Sequence, residues 1–177
     1  MPLSTLHGPS GLIPLRIGSL VLLLLACDAG PTPEVQEPNL SKCGPSQGVV
    51  DSVIDGDTIV LESGEKIRYL MVDTPEITNG HDDCFGDMAR DYNRELALGQ
   101  TVDLTYDEEC TDQYGRLLAY VETGDGEINT LLVERGFACV LYIPPNGSAR
   151  HDDFMDLEAE ARESREGMWG ACGDPCK

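Results

Sequence analysis

Positive charge is scarce in this sequence. Its 177 residues contain 12 lysines and arginines against 32 aspartates and glutamates, which gives a formal net charge of -20. Such a chain repels polyanions at long range, and this counts against nucleic acid as a partner unless one site is locally favourable. Hydrophobic residues still make up 41% of the chain, so a folded core is expected and overall disorder is excluded.

The sequence also lacks the residue patterns typical of a zinc site, a histidine cluster and a membrane-spanning helix. No Cys-x-x-Cys pair occurs, and the wider spacing of Cys172 and Cys176 has no second close pair to complete a zinc site. The histidines do not cluster, so His81 and His151 are interpreted as surface residues. The main apolar run, Ile17 to Ala26, is too short to span a bilayer, which needs about 20 residues.

This apolar run is typical of an export signal. Arg16 precedes it, and the segment Leu23 to Cys27 resembles a bacterial lipobox, in which the cysteine is lipidated and becomes the mature N-terminus. We therefore expect residues 1–27 to be a lipoprotein signal peptide. Lipidated Cys27 would hold an exported protein on a membrane of the cell envelope, on its periplasmic side or at the cell surface. The alternatives are an ordinary secretory signal and an uncut membrane anchor.

Composition divides the rest of the chain into three parts. Residues 28–46 are rich in proline and polar residues and are predicted to be a tether. Residues 47–171 are predicted to be the folded domain, and residues 172–177 a tail containing cysteine. An even number of cysteines remains once Cys27 is set aside, which indicates disulfides in an exported chain. A monomer is expected because no long apolar stripe is left over.

Apolar alternation and helical spacing predict a mixed α+β domain on a small barrel. Strands are expected at Val49–Ile54, Thr58–Leu61, Lys66–Val72, Thr101–Tyr106 and Leu117–Glu122. A further short strand is expected within residues 137–143. Helices are expected before Gly99, between a cap at Asn129 and a stop at Gly136, and over residues 148–170.

Four carboxylates stand where the predicted strands turn. Asp55 and Asp57 lie between the first two strands, and Asp73 and Glu76 follow the third. In a meander these positions meet at one end of the sheet. Carboxylates gathered there would raise one another's pKa values, and a hard cation such as calcium would offset their repulsion. Taken separately, each segment is more often a turn or a strand end that holds no metal.

Two arginines could supply the positive charge that stabilises the transition state of phosphodiester hydrolysis. Arg68 lies in the third predicted strand, and Arg116 follows the segment TDQYG. Guanidinium groups can bind the charge that grows on phosphorus in the transition state, while a carboxylate takes a proton from water. An arginine in a strand usually faces solvent, so Arg68 alone would be weak evidence.

Four motifs, taken in order, resemble one known family. They are DGDT from Asp55, RYLMVDTPE from Arg68, TDQYGR from Thr111 and LLAYV from Leu117. Together they resemble the staphylococcal nuclease family, also called thermonucleases, over about Val49 to Gly170. The resemblance implies a five-stranded OB-fold barrel with three helices. It also implies calcium-dependent hydrolysis of DNA and RNA that cuts the P–O5′ bond and leaves 3′-phosphate ends.

The same resemblance assigns a metal site and a base. Asp57 and Asp73 would bind calcium through their carboxylates, and Thr74 would bind it through its backbone carbonyl. Asp55 would lie behind these ligands. Glu76 would be the general base that holds the attacking water.

It also assigns residues to the substrate. Arg68 and Arg116 would bind the phosphate and stabilise the transition state. Tyr114 would touch a substrate phosphate, and Tyr142 would pack against the nucleotide. The chain departs from the family at Gln113, where lysine or arginine is frequent.

Further departures are a proline, Pro144, in place of a tyrosine of the nucleotide pocket, and a short acidic loop after Glu76. Together with Gln113 they predict weaker binding of nucleic acid and a flatter loss of affinity with salt.

In the barrel that the resemblance implies, Cys84 and Cys110 both lie in loops that border the cleft. A disulfide between them is expected, with separate pairing as the alternative, and Cys139 is a candidate free buried thiol.

Two other functions compete with the nuclease interpretation. One is a catalytically weak nucleic-acid- or calcium-binding OB-fold module, and the other is an exported calcium-binding structural protein. The presence of Arg68, Glu76 and Arg116 together favours the enzyme.

Overall fold

A computed structural model describes residues 41–77, 80, 83–173 and 175–176. The predicted signal peptide, the predicted lipidation site Cys27, most of the predicted tether and His81 lie outside these residues. The domain boundaries placed from composition therefore stay predictions. Within the described part of the chain, no helix has the length and apolar character needed to cross a membrane.

The described chain contains short strands and amphipathic helices in a mixed order. The strands are β1 (Gln47–Val53), β2 (Thr58–Leu61), β3 (Lys66–Tyr69), β4 (Met71–Asp73), β5 (Thr101–Thr111), β6 (Leu117–Thr123), β7 (Gly126–Glu127) and β8 (Cys139–Leu141). The helices are α1 (Gly86–Ala97), α2 (Ile128–Glu134), α3 (His151–Ser164) and α4 (Met168–Ala171).

Five of these strands close into a barrel. Antiparallel pairing gives the order β3-β2-β1-β5-β6, and a parallel pairing of β3 with β6 closes the ring. The short strand β7 extends β6, while β4 and β8 form a separate two-stranded sheet. This arrangement confirms the predicted α+β class and the five-stranded OB-fold barrel.

The core lies inside the barrel and beneath α2 and α3. Side chains that alternate along the strands are fully buried, among them Ile59, Ile67 and Val102. Leu132 of α2 and Phe154 of α3 are equally buried and cover the barrel. Apolar burial of this kind fixes the strand ends, and the candidate site is built at those ends.

The third strand is shorter than predicted. It ends at Tyr69 rather than Val72, because Met71 has φ 66, outside the strand region. The chain then leaves the barrel and pairs with β8. The carbonyls of Tyr69 and Val72, on the two sides of this break, both accept hydrogen bonds from the Nη1 of Arg68.

The predicted helix cap at Asn129 is wrong. Helix α2 already begins at Ile128, and the Asn129 side chain is fully buried. Its amide accepts a hydrogen bond from the Val121 nitrogen and donates to the carbonyl of Leu70 at 2.8 Å. Satisfying a buried carbonyl at the strand break outweighs the capping preference, because an unpaired buried carbonyl is costly.

The predicted Cys84–Cys110 disulfide is also wrong. Cys110 is bonded to Cys43, with a Cα–Cα distance of 5.1 Å. The reason is the path of the N-terminal segment along β5, where the Tyr106 hydroxyl donates to the Pro45 carbonyl at 2.7 Å. This contact carries Cys43 to the end of β5.

The C-terminal tail supplies the other partners. Cys84 is bonded to Cys172, and Cys139 is bonded to Cys176, so Cys139 is not a free thiol. The tail therefore links the start of α1 to the strand β8.

Candidate active site

The turn between β1 and β2 places the first aspartates. The Asp55 carboxylate accepts a hydrogen bond from the Asp57 nitrogen at 3.1 Å, which is a local turn contact. Gly56 lies against Thr74, since a Cβ on Gly56 would stand 2.6 Å from the Thr74 side chain. The turn and the end of β4 therefore touch, as the convergence of the carboxylates requires.

Asp57 lies at the centre of this contact and is only 6% exposed. Its Oδ2 accepts hydrogen bonds from the backbone nitrogen and the hydroxyl of Thr74, both at 3.0 Å. Its Oδ1 accepts one from the Thr58 hydroxyl and lies 3.1 Å from the Nε of Arg68. Both oxygens of a nearly buried carboxylate are therefore compensated.

Arg68 is held between two of the predicted calcium ligands. Its Nε faces Asp57, and its Nη2 lies 3.0 Å from the Oδ1 of Asp73. Its Nη1 donates to the carbonyls of Tyr69 and Val72 at 2.8 and 2.7 Å. The residue is 9% exposed, so this strand arginine is turned inward rather than toward solvent.

Negative charge at this end of the barrel is only partly balanced. Burial, together with the charge of Asp57, raises the pKa of Asp55 to about 6. Burial also raises the pKa of Asp73, and the charges of Asp57 and Glu76 add to this while Arg68 opposes it. One guanidinium therefore does not offset the gathered carboxylates.

Glu76 stands just beyond β4 with an exposed side chain. Its backbone nitrogen donates to the Oδ2 of Asp83 at 3.2 Å, and its carbonyl accepts from the Asp83 nitrogen at 2.9 Å. These bonds tie the segment to the start of α1. Glu76 follows Asp73 by three residues, and its negative charge adds to the raised pKa of Asp73.

Arg116 is positioned by the turn that joins β5 and β6. The Oδ1 of Asp112 accepts hydrogen bonds from the backbone nitrogens of Tyr114 and Arg116, and its Oδ2 accepts from the Nε of Arg116 at 2.7 Å. Burial alone would raise the pKa of Asp112, but the hydrogen bonds from Arg116 and Tyr114 lower it overall.

The Thr58 hydroxyl joins the two arginines. It donates to the Oδ1 of Asp57 and accepts from the Nη1 of Arg116 at 3.4 Å. Asp57 is in turn paired with Arg68. Thr58 was predicted only as a strand residue within the DGDT motif, yet its hydroxyl connects the two halves of the site.

A cleft of about 370 Å³ opens beside this network. Arg68, Arg116 and Tyr114 line its polar part, and Leu118 and Ile143 line its apolar part. Tyr114 is 76% exposed, and the Arg116 guanidinium lies 5.6 Å from the centre of its ring. The predicted substrate contact of Tyr114 is therefore accessible.

Tyr142 lies beside the cleft rather than in its wall. Its neighbours Leu141 and Ile143 contribute to the lining. The Tyr142 hydroxyl lies 3.0 Å from that of Ser148, and its ring packs on His151 with centroids 4.7 Å apart. Contact with a nucleotide at Tyr142 stays a prediction.

Two buried asparagines that support the site were missed. Asn93 of α1 donates to the Asp55 carbonyl at 3.0 Å and accepts from the Tyr69 hydroxyl at 2.8 Å. Asn146 pairs through its amide with the backbone nitrogen and carbonyl of Glu109, at the end of the cleft. Polar residues are usually assigned to solvent, and the only signal for Asn93 is its place in line with the buried Ala89.

The oxygen atoms present suit a hard cation. Asp57, Asp73 and the Thr74 carbonyl are the predicted ligands, and they offer oxygen atoms of the kind that a hard cation takes, with water completing its coordination. Asp55 lies behind them, bonded to the Asp57 nitrogen. The three aspartates do not form a compact cage, because Arg68 stands between Asp57 and Asp73.

A tighter cluster exists elsewhere. Among the described residues, one group of three acidic, cysteine or histidine side chains has all its ligand atoms within 4.8 Å, namely Cys139, Glu158 and Cys176. Its two cysteines are bonded to each other, so they offer no thiolate to a metal.

Comparison with known proteins decides the family. Residues 66–171 match the family model described as staphylococcal nuclease homologue. The chain belongs to the family of staphylococcal nuclease homologues. The match includes Arg68, Asp73, Glu76 and Arg116, and it leaves the Asp55–Asp57 turn outside.

Individual proteins named thermonuclease or endonuclease are similar over two thirds or more of this chain. The thermonuclease of Staphylococcus intermedius is 38% identical over 126 residues, which cover 68% of this chain and 74% of that protein. The thermonuclease of Staphylococcus hyicus is 30% identical over 90% of this chain and 96% of its own length. Endonuclease YncB of Bacillus subtilis is 37% identical over 70% of this chain, and the match spans 62% of that protein.

Proposed function

We propose that this chain is a calcium-dependent nuclease that hydrolyses phosphodiester bonds of DNA and RNA, cutting the P–O5′ bond and leaving 3′-phosphate ends. The observation that carries the proposal is the network that joins Arg68 to Arg116 through Asp57 and Thr58, because both arginines line the same cleft. The relatives named thermonuclease and endonuclease support it.

The two arginines would hold the scissile phosphate from different positions. Most N–H groups of Arg68 are bonded to protein oxygens, and one on Nη2 is left for a phosphate oxygen. Arg116 uses Nε and Nη1 in its contacts and keeps Nη2 for the substrate. Both groups carry a fixed charge that strengthens binding as negative charge grows in the transition state.

Glu76 would act as the general base. Its carboxylate is exposed beside Asp73, so a water molecule can reach it from solvent. Taking a proton from that water makes it a better nucleophile toward phosphorus. Calcium held by Asp57, Asp73 and the Thr74 carbonyl would supply positive charge for the phosphate oxygens.

Because the protein is strongly acidic, binding of a polyanionic substrate depends on the positive charges at the site itself. Long-range repulsion slows the approach of a polyanion, most at low ionic strength. Arg68, Arg116 and a cation would make the cleft locally favourable, while Gln113 removes one frequent positive charge of the family. We therefore expect weaker substrate binding than in a basic member of the family.

We further propose that the protein is exported and anchored to a membrane of the cell envelope through a lipid on Cys27. The three disulfides fit an oxidising compartment. The segment ending at Cys27 supports lipidation. Mass spectrometry of the protein from a bacterial host tests this, because a diacylated N-terminal cysteine adds a defined mass and its absence removes the proposal.

The activity is tested by incubating the purified protein with single-stranded DNA in calcium, and then with EGTA. We expect cutting in calcium only. The new 5′-hydroxyl ends should accept a label from a kinase without phosphatase treatment, and mass analysis should show a phosphate on the new 3′ ends. Binding of calcium and DNA without any cutting would instead favour the weak binding module.

A further inference from the structure

A second groove, of about 580 Å³, runs on from the candidate active site. Tyr114 and Arg116 line both this groove and the catalytic cleft. Its other walls are the N-terminal segment 43–45 and the β2–β3 turn at residues 64–66. A polymer bound at Arg116 can therefore continue into the groove without leaving the protein surface.

The N-terminal wall is firmly built. The Cys43–Cys110 disulfide fixes it to β5, and the Tyr106 hydroxyl bonds the Pro45 carbonyl. Gly44 packs against Leu117, since a Cβ on Gly44 would lie 3.0 Å from the Leu117 side chain. The groove is thus a fixed part of the fold within the described residues.

Lys66 is one of four cations without an ion pair among the described residues, the others being Lys42, Arg94 and Arg165, and of these four it alone lines the groove. Arg90, Arg135, Arg150 and Arg162 each pair with a carboxylate. Lys66 lines the groove, is exposed, and forms no ion pair with the described residues. In a chain with a net charge of -20, an unpaired cation next to a phosphate-binding arginine attracts a second phosphate.

Glu65 limits where a phosphate can lie. It also lines the groove, and its Oε2 is buried without a hydrogen-bond partner among the described residues. Its charge also contributes, after burial, to raising the pKa of Tyr106 to about 12. A phosphate is therefore kept from the inner wall, and the position near Lys66 at the rim remains.

We propose that the groove binds the flanking phosphates of a single-stranded polynucleotide whose scissile phosphate lies at Arg116, with Lys66 as the contact residue. This inference rests on the proposed function, and it defines the substrate as a strand of several nucleotides rather than a dinucleotide.

The test compares a thymidine dinucleotide with a thymidine strand of about 12 nucleotides, within the length range of known OB-fold sites. Lys66→Gln should lower kcat/KM about fivefold on the long strand, through KM, and leave the dinucleotide unchanged. Glu65→Gln should raise kcat/KM on the long strand, because it removes a negative charge from the groove. Arg94→Gln is the matched control, because Arg94 is an exposed cation that lines neither the cleft nor the groove.

A binding measurement separates this inference from the proposed function. Fluorescence anisotropy of the labelled long strand in EDTA avoids cutting, and Lys66→Gln should make the slope of log affinity against log salt less steep by about 0.7. A wild-type protein that cuts neither substrate contradicts the nuclease, while the salt slope still tests the groove. An unchanged slope, an equal loss on both substrates, or the same loss from Arg94→Gln overturns the groove proposal.

Discussion

Arg68 and Arg116 serve the same candidate site but are held by different parts of the fold. Arg68 is nearly buried and bonds two carbonyls and two carboxylates at a strand break. Arg116 is more exposed and is held mainly by Asp112 within one turn. Arg68 therefore contributes to the structure of the barrel end, whereas Arg116 is held by contacts within a single turn and contributes little to the barrel.

The carboxylates around the two arginines also respond differently. Burial raises the pKa values of Asp55 and Asp73 near Arg68. Near Arg116, hydrogen bonds outweigh burial and lower the pKa of Asp112. The carboxylates near Arg68 therefore carry negative charge that the arginine only partly offsets, whereas the carboxylate of Asp112 is balanced by Arg116.

The largest expected effect is that of Arg68→Gln. Removing this guanidinium leaves the buried carboxylate of Asp57 without its partner, which costs about 3–5 kcal/mol of unfolding free energy. Urea unfolding measures this loss. A change below about 1 kcal/mol would show that Arg68 is not part of the structure of the barrel end.

Arg116→Gln should separate activity from stability. Its carboxylate partner is in a turn near solvent, so unfolding free energy should change by less than about 1 kcal/mol. Activity on DNA should fall by about 10²- to 10³-fold, as expected for loss of a transition-state charge contact. Equal damage to stability from Arg116→Gln and Arg68→Gln would abolish the distinction between the two arginines.

Asn93 lies near the Arg68 side of the site and Asn146 lines the cleft, so their alanine variants should also differ in function, with smaller losses of stability than Arg68→Gln. Asn93→Ala and Asn146→Ala each remove a buried pair of hydrogen bonds, at a cost of about 1–3 kcal/mol. Calcium titration followed by calorimetry should show weaker binding for Asn93→Ala only, because its amide bonds the Asp55 carbonyl. Asn146→Ala should raise KM instead, since Asn146 lines the cleft.

The smallest expected effects concern pH in calcium-free buffer. Asp55 has a folded pKa of about 6, above the unfolded 3.8, so its contribution to stability is present below pH 4 and is lost as the pH rises to 6. Asp112 has a lowered pKa, so its contribution is present above pH 4 and is lost as the pH falls further.

Unfolding curves across this range for Asp55→Asn and Asp112→Asn check these signs. Asp55→Asn should flatten the decrease between pH 4 and 6, and Asp112→Asn should flatten the acid loss. Matching pH profiles for the two variants would contradict the assigned directions.

Local sequence signals predicted much of the fold. The turn at Asp55 and the strand β2 have clear alternation and turn residues, so they were predicted with correct positions. The strand break was not, because a positive φ at Met71 has no signal in a methionine and depends on tertiary contacts. Arg68 donates to carbonyls on both sides of that break, so its burial could not be predicted from the sequence either.

Residues that act across the fold were also missed or misread. Asn93 and Asn129 donate hydrogen bonds to backbone carbonyls of segments that are distant in the sequence. The spacing of residues along one helix cannot predict such contacts. Cysteine pairing depends on the paths of the chain ends, which is why Cys110 was assigned to Cys84 instead of Cys43. The motifs that match the family predicted the residues of the candidate site, but they did not predict the hydrogen bonds and disulfides that position those residues.

The most direct test of the account is the single-turnover rate of cutting single-stranded DNA by Glu76→Gln beside the wild type, in saturating calcium. Calcium affinity and unfolding free energy are measured on both proteins as controls. The account predicts a rate lower by about 10²- to 10⁴-fold with both controls unchanged. Equal rates in the two proteins, or a wild type that binds calcium and does not cut, would contradict it.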